Sequence, residues 1–138
     1  MLALYQRGLR SYDRRSSAGI SEAIAAFSAA IKRDSGYALA WNGLAKSYVR
    51  AYERVFPIEG VPRDRMLQLA LSAVDRALAA DRRSADVWLT QALLLRDIDP
   101  TDDGPVLRSL RQALALDSTD APAWHFLALV VIDEEVVH

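Results

Sequence analysis

The sequence contains no cysteine and few glycines or prolines, and each shortage excludes a class of protein. Without cysteine, disulfide bonds, thiol catalysis and cysteine-based metal sites are excluded. Six glycines and five prolines are too few for a disordered chain or for an all-β fold with many turns. Apolar residues make up 51% of the 138 residues, which is enough for the core of a single domain over residues 1–138.

The chain also lacks a long apolar run and an excess of one charge. No stretch of about 18 apolar residues occurs, so we expect no membrane insertion. Residues 1–10 do not combine a charged region with an apolar stretch, and we expect no signal peptide there. A cytoplasmic location is the default expectation; an exported domain of a longer membrane-bound regulator is the alternative. The net charge of −1 provides no general attraction for nucleic acid, and no nucleic-acid partner is expected.

Tryptophan occurs three times in one sequence context, at Trp41, Trp88 and Trp124. Each has an alanine three residues before it and another four residues after it. Each also lies seven residues after an aspartate, namely Asp34, Asp81 and Asp117. Three copies of a rare residue at one register indicate an array of repeats.

Apolar residues recur at spacings of three and four, the period of an amphipathic helix. The clearest run is Ile20, Ala23, Ile24, Phe27, Ala30 and Ile31. We predict an all-α fold of seven helices at about residues 2–14, 20–33, 37–54, 64–80, 84–97, 104–116 and 120–135. Ser21 is the predicted cap near the start of the second helix. Leu129–Ile132, the best strand candidate, falls inside the last helical pattern and is predicted to be helical.

Small residues recur in the second helix of each predicted hairpin, where they would let neighbouring helices approach closely. The positions are Ala23, Ala30, Ala73, Ala77 and Ala113. Together with Trp41, Leu44, Ala45 and Tyr48 of the third helix, this pattern resembles the tetratricopeptide repeat. The resemblance implies a right-handed α-α superhelix of three helical hairpins followed by one unpaired C-terminal helix. Its repeats would span about 1–36, 37–83, 84–119 and, in part, 120–138.

The sequence departs from the family pattern in two ways. The usual closing proline is replaced by Ser35, Arg82 and Ser118. The tryptophans lie 47 and 36 residues apart, against a family period of about 34. The second repeat therefore holds an insertion at roughly 51–63, predicted as a lengthened first helix followed by a loop.

A narrower similarity is to bacterial repeat arrays that sit behind a signalling domain, such as a winged-helix regulator, an adenylate cyclase domain or a protein kinase domain. It rests on the first repeat, on its Arg-Arg pair and on the long loop of the second repeat. None of those domains is in this sequence, so the similarity implies a part of a larger bacterial regulatory protein.

The titratable residues give little support for catalysis. The only histidines are His125 and His138, and neither has a predicted base or nucleophile beside it. The acidic run Asp97, Asp99, Asp102 and Asp103 could hold a hard cation, but the spacing of a calcium loop is absent. We interpret it instead as a helix end, a turn, and acids at the start of the next helix. No catalytic residue, metal or cofactor is expected, and the protein is predicted not to be an enzyme.

By the resemblance, the first helices of the hairpins would line a concave groove that binds a protein or peptide partner. The groove residues would be Tyr5, Leu9, Tyr12, Asn42, Lys46, Val49, Leu89 and Leu93. The Asn42 amide can donate to and accept from a peptide backbone, and Lys46 can meet a carboxylate. Alternatively, Tyr5 and Tyr12 simply pack the first hairpin. Some family members grip a chaperone's C-terminal carboxylate, but Tyr5, Leu9 and Leu89 do not match that set, and a more apolar ligand is expected.

The last helix leads to a second hypothesis. In the family, Trp124, Leu127, Ala128 and Val131 would face a second helix of their own repeat, and none follows in this sequence. One expectation is therefore that the chain is a piece of a longer array. The other is that these four residues form a self-association face that makes a symmetric homodimer. The two functional hypotheses are accordingly an interaction module and a self-assembly module.

Overall fold

The computed structural model describes residues 2–137, with side chains described for residues 2–132. These residues form seven α-helices: α1 (Leu2–Asp13), α2 (Ser17–Arg33), α3 (Ala38–Arg54), α4 (Arg63–Ala80), α5 (Ala85–Ile98), α6 (Asp103–Leu116) and α7 (Ala121–Val137). No strand occurs in this described part, and the all-α prediction is confirmed. Each predicted helix is present within three residues of its predicted bounds. None of the helices described is both long enough and apolar enough to cross a membrane.

The start of α2 corrects one predicted cap. The helix begins at Ser17, and the cap is Ser16 rather than Ser21, because the Ser16 hydroxyl accepts a hydrogen bond from the Gly19 N–H at 3.0 Å. Residues 17–19 of α2 are serine, alanine and glycine, so its start carries no large apolar side chain. The apolar period used to predict the helix therefore starts one turn too late.

Contacts between helices divide the chain into two compact units, Met1–Arg82 and Arg83–His138. Unit 1 holds α1 to α4, in which α1 packs on α2, α2 on α3 and α3 on α4, and α1 also touches α3. Unit 2 holds α5 to α7, in which α5 packs on α6 and α6 on α7. The boundary follows the aspartate that ends α4, at the predicted junction between the second and third repeats.

The core of unit 1 is organised around Phe27 of α2, which is almost fully buried. A Cβ atom on Gly8 of α1 would lie 2.5 Å from Cε1 of the Phe27 ring. A Cβ atom on Gly43 of α3 would lie 2.5 Å from Cζ of the same ring. The ring therefore fills the space that two glycines leave open, and three helices approach one another at this point.

The alanines in the second helix of each hairpin, α2, α4 and α6, are buried as the sequence pattern indicates. All five of the predicted positions are buried: Ala23, Ala30, Ala73, Ala77 and Ala113. In unit 2 the contact of α5 with α6 also includes a polar link, because the Ser109 hydroxyl lies 2.8 Å from Oε1 of Gln91. Close packing and this side-chain hydrogen bond together fix the hairpin of α5 and α6.

The insertion of the second repeat has the predicted form. Helix α3 has 17 residues where α5 has 14, and a loop over residues 55–62 follows it. Val55 takes a left-handed backbone conformation, with φ 57° and ψ 39°. The N–H of Phe56 then bonds to the carbonyl of Ala51 at 2.9 Å, and the N–H of Val55 to that of Tyr52 at 3.3 Å. This pair of bonds is a Schellman motif, which satisfies carbonyls at the helix end.

Candidate functional site

Two of the three repeated tryptophans, Trp41 and Trp124, bond to the turns that precede their helices. The indole N–H of Trp41 donates to the carbonyl of Ser35, and that of Trp124 donates to the carbonyl of Ser118, both at 2.8 Å. Each bond joins the first turn of a helix to the turn before it. In both cases the carbonyl belongs to the residue that follows the aspartate of the repeated context, so the same tryptophan-to-turn bond occurs at two of its three copies.

The tryptophans of unit 2 differ in how far they are covered. Trp88 is 8% exposed, whereas Trp124 is 51% exposed. Beside Trp124, Leu127 is half-buried, and Ala128 and Val131 are exposed. These four residues, which we call the α7 face, are therefore largely open to solvent. The opposite side of the helix is covered, since Ala123, Phe126 and Val130 are buried.

Tyr5, a predicted groove residue, lies against other aromatic rings of unit 1. Its ring centroid is 5.8 Å from that of Phe27 and 5.4 Å from that of Tyr37, with both pairs tilted. Such tilted contacts are the favourable geometry for aromatic pairs. Tyr5 is half-buried, and these contacts fit the packing role considered as the alternative for this residue.

Tyr12 lies in a different environment, between α1 and α3. Lys46 Nζ is 5.4 Å from the centre of the Tyr12 ring, and Arg50 Cζ is 5.8 Å from it. Both distances allow cation–π attraction. Leu9, one helical turn before Tyr12, is exposed. We call Leu9, Tyr12, Lys46 and Arg50 the Tyr12 cluster, since they combine accessible apolar surface with two positive charges.

The remaining predicted groove residues are covered to different degrees. Asn42 and Val49 of α3 are only 3% and 4% exposed, so neither side chain is accessible to a ligand in this structure. In unit 2, Leu89 is half-buried and Leu93 is exposed. Sequence reasoning omitted Arg50, although it lies four residues after Lys46 and a spacing of four places two residues on one helix face.

The acidic run of unit 2 serves the ends of helices. Asp99 Oδ1 accepts hydrogen bonds from the Thr101 hydroxyl at 2.6 Å and from the Thr101 N–H at 3.0 Å. These two bonds, the hydroxyl first, lower the pKa of Asp99 from its usual value. Asp102 Oδ1 accepts from the Gly104 N–H at 3.1 Å and caps α6. The interpretation of this run as a helix end followed by a helix start is confirmed.

The turn that follows α6 repeats this arrangement. Asp117 Oδ1 accepts from the Thr119 hydroxyl at 2.6 Å and from the Thr119 N–H at 3.0 Å. The bonds from Thr119, the hydroxyl first, lower the pKa of the Asp117 carboxyl as well. Both aspartates thus act as ionised acceptors that order the turns, because hydrogen bonds to a carboxylate favour its charged form.

Charge is segregated between the two units, which the net charge of the whole chain conceals. Residues 1–82 contain 13 lysines and arginines against eight aspartates and glutamates, a net charge of +5. Residues 83–138 contain four arginines against ten acidic residues, a net charge of −6. This difference in net charge can be read from the sequence once the chain is divided between residues 82 and 83. Unit 1 therefore attracts anionic groups and unit 2 attracts cationic ones.

No protein-family model matches the sequence, and no match was found among curated proteins. The resemblance to the tetratricopeptide repeat therefore remains a prediction that rests on the residues named above.

Proposed function

We propose that this protein is a non-catalytic protein–protein interaction module that binds a peptide or protein segment, within a larger bacterial regulatory protein. The observation that carries the proposal is the Tyr12 cluster, where a half-buried aromatic ring lies beside two cations and an exposed leucine. Aromatic rings with arginine neighbours are typical anchors of binding surfaces. Repeated helical hairpins commonly present such surfaces to extended ligands.

The cluster favours a ligand that combines an apolar side chain with an acidic group. An apolar side chain would pack on Leu9 and the Tyr12 ring, where burial of apolar area provides the main stabilisation. A carboxylate would then pair with Lys46 or Arg50. Because the set of matching residues differs from the chaperone-binding members of the family, no chaperone C-terminus is proposed as the ligand.

A fluorescent peptide library tests this proposal, with binding measured by anisotropy against a concentration series of the protein. We expect saturable binding to peptides with adjacent apolar and acidic residues. Tyr12→Ala and Lys46→Ala should each raise the dissociation constant roughly tenfold, the equivalent of about 1.4 kcal/mol. Tyr52→Ala is the matched control, because Tyr52 also carries an arginine over its ring, Arg63 at 3.9 Å, but lies outside the cluster. Absence of saturable binding, or an equal loss in the control, would contradict the proposal.

A second candidate function is self-assembly through the α7 face. The observation that favours it is the 51% exposure of Trp124, since large exposed aromatic side chains in a continuous apolar surface mark association sites. Light scattering over a concentration series is its direct test. A molar mass that stays at one chain at every concentration would contradict it.

A further inference from the structure

We propose that this protein associates head to tail, with the α7 face of one copy docked in the groove between α1 and α2 of a second copy. The inference rests on the self-assembly candidate and adds to it an acceptor surface and a direction. Three independent features support it: a cavity in unit 1, a helix in unit 2 with one side exposed, and opposite net charges in the sequences of the two units.

The acceptor is a cavity of about 450 Å³ between α1 and α2. Its lining is Leu4, Arg7 and Ser11 from α1 and Glu22, Ala25, Ala26 and Ala29 from α2. The three alanines leave depth where larger side chains would fill the space, and the volume lies within the range of pockets that enclose large side chains or small ligands. Glu22 forms an ion pair with Arg14, so its charge at the groove is compensated.

The donor is helix α7, whose described side chains are apolar at every position from 121 to 132 except His125. A helix that is apolar on all sides is normally covered on all sides. Here the side formed by Ala123, Phe126 and Val130 is buried, while Trp124 and Val131 are exposed. A bulky indole beside aliphatic side chains is suited to enter a groove floored by alanines, because anchors of this kind fill pockets at the centre of interfaces.

Charge identifies the occupant as a second copy and sets the direction of docking. In a symmetric contact through two α7 faces, the unit with a net charge of −6 would meet another of the same charge. In a head-to-tail contact it meets unit 1, whose net charge is +5. Like charges that face one another oppose association, and complementary ones accelerate and orient it. The segregation of charge therefore favours the groove over a second α7 face as the acceptor.

The arrangement has a consequence for stoichiometry. Two different surfaces are joined, so a pair held by one such contact still has one free groove and one free α7 face. Such heterologous contacts continue into longer chains or close into rings, whereas a symmetric contact stops at two copies. The molar mass of the wild-type protein should therefore rise beyond that of a dimer as its concentration increases.

Complementary variants test the direction of docking. Trp124→Glu blocks the α7 face and leaves the groove intact, whereas Ala25→Glu blocks the groove and leaves the α7 face intact. Ala25 is an exposed position within α2, and glutamate is a good helix former, so the fold should tolerate the change. By sedimentation velocity, each variant alone should be monomeric where the wild type associates. An equimolar mixture should form a one-to-one complex and nothing larger, because both outer surfaces are blocked.

Two control variants introduce the same charge elsewhere. Ser72→Glu changes an exposed position in the middle of α4, and Ala115→Glu changes an exposed position on α6. Both should associate as the wild type does, and circular dichroism should show the helical content of all four variants unchanged. Raising the salt concentration from 50 to 500 mM should increase the wild-type dissociation constant several-fold, because screening weakens the attraction between the units of different copies.

The outcomes separate this inference from the self-assembly candidate. If Ala25→Glu associates as the wild type does while Trp124→Glu is monomeric, self-assembly stands and the groove is wrong as the acceptor. A mixture of the two variants that stays monomeric also overturns the head-to-tail arrangement. A wild-type chain that is monomeric at every concentration overturns both the arrangement and the self-assembly candidate.

Discussion

At the scale of single residues, the contact of Phe27 with Gly8 and Gly43 explains why helices of unit 1 come so close. The ring has a glycine on each of two neighbouring helices, and a methyl group on Gly43 would lie 2.5 Å from it. Since Gly8 limits the ring on another side, movement away from an added methyl group is restricted. This contact therefore requires a glycine for reasons of space rather than of backbone conformation.

Gly43→Ala should destabilise the protein. Overpacking a well-filled core costs about 1–3 kcal/mol, while replacing a glycine inside a helix by alanine gains about 0.5–1 kcal/mol. We expect a net decrease of about 1–2 kcal/mol in the free energy of unfolding, measured by urea denaturation. Gly36→Ala is the control, because its added methyl group would meet only Asp34 Oδ1 at 3.5 Å. In a Phe27→Leu background the effect of Gly43→Ala should shrink, and an undiminished effect would contradict the steric explanation.

The surroundings of Tyr5 and Tyr12 could not be predicted from the sequence. Tyr5 and Tyr12 lie seven residues apart on one helix, and the pattern left open whether both pack the hairpin. In the structure Tyr5 contacts Phe27 and Tyr37, whereas Tyr12 lies beside two cations of α3. Which neighbour covers each ring depends on the packing of α1 against α2 and α3, and helical spacing alone carries no information about that packing.

At the scale of helices, the end of α3 contains a backbone conformation that its side chain disfavours. Val55 has φ 57°, and its side chain is exposed. For an L-residue this region costs about 1–2 kcal/mol, and a β-branched side chain is a clear outlier there. The two hydrogen bonds of the Schellman motif hold the backbone in place against this cost.

Val55→Gly should stabilise the protein, because glycine adopts a positive φ without a steric penalty. We expect the free energy of unfolding to rise by about 1 kcal/mol in urea denaturation. Val61→Gly provides the control in the same loop, where φ is not positive and the half-buried side chain would be lost. That variant should be less stable than the wild type. A Val55→Gly protein no more stable than the wild type would show that this residue is not strained.

Helix positions were predictable from the sequence, but helix ends were less so. Apolar residues at spacings of three and four follow directly from the geometry of a helix, so all seven helices were found. Caps depend on individual hydrogen bonds, and the bond from the Gly19 N–H selects Ser16 where periodicity pointed to Ser21. The end of α3 was predicted at residue 54, where the structure places it, but the left-handed conformation of Val55 was not, because glycine is the usual residue there.

At the scale of the whole molecule, the order of the helices could be predicted, whereas the set of side chains exposed at the surface could not. The tryptophan register indicated where α3, α5 and α7 begin, and the segregation of charge follows from counting residues on each side of one junction. The groove residues of the sequence-based prediction were assigned by resemblance alone. Burial of Asn42 and Val49 and the cluster of Tyr12 with Lys46 and Arg50 required the packing of neighbouring helices to be known.

Hydrogen exchange should report the unequal stability of the helices. Helix α3 packs on α1, α2 and α4, while α7 packs mainly on α6, so backbone amides of α7 should exchange faster than those of α3 in dilute solution. Measured by mass spectrometry at increasing protein concentration, head-to-tail docking should slow exchange in α7 and also in α1 and α2. A symmetric contact should slow α7 alone. Helix α4 serves as the internal control. Equal protection of α3 and α7 in dilute solution would contradict the expected order. A helix with more buried neighbours must separate from all of them before its amides can exchange, so α3 should be the more protected of the two.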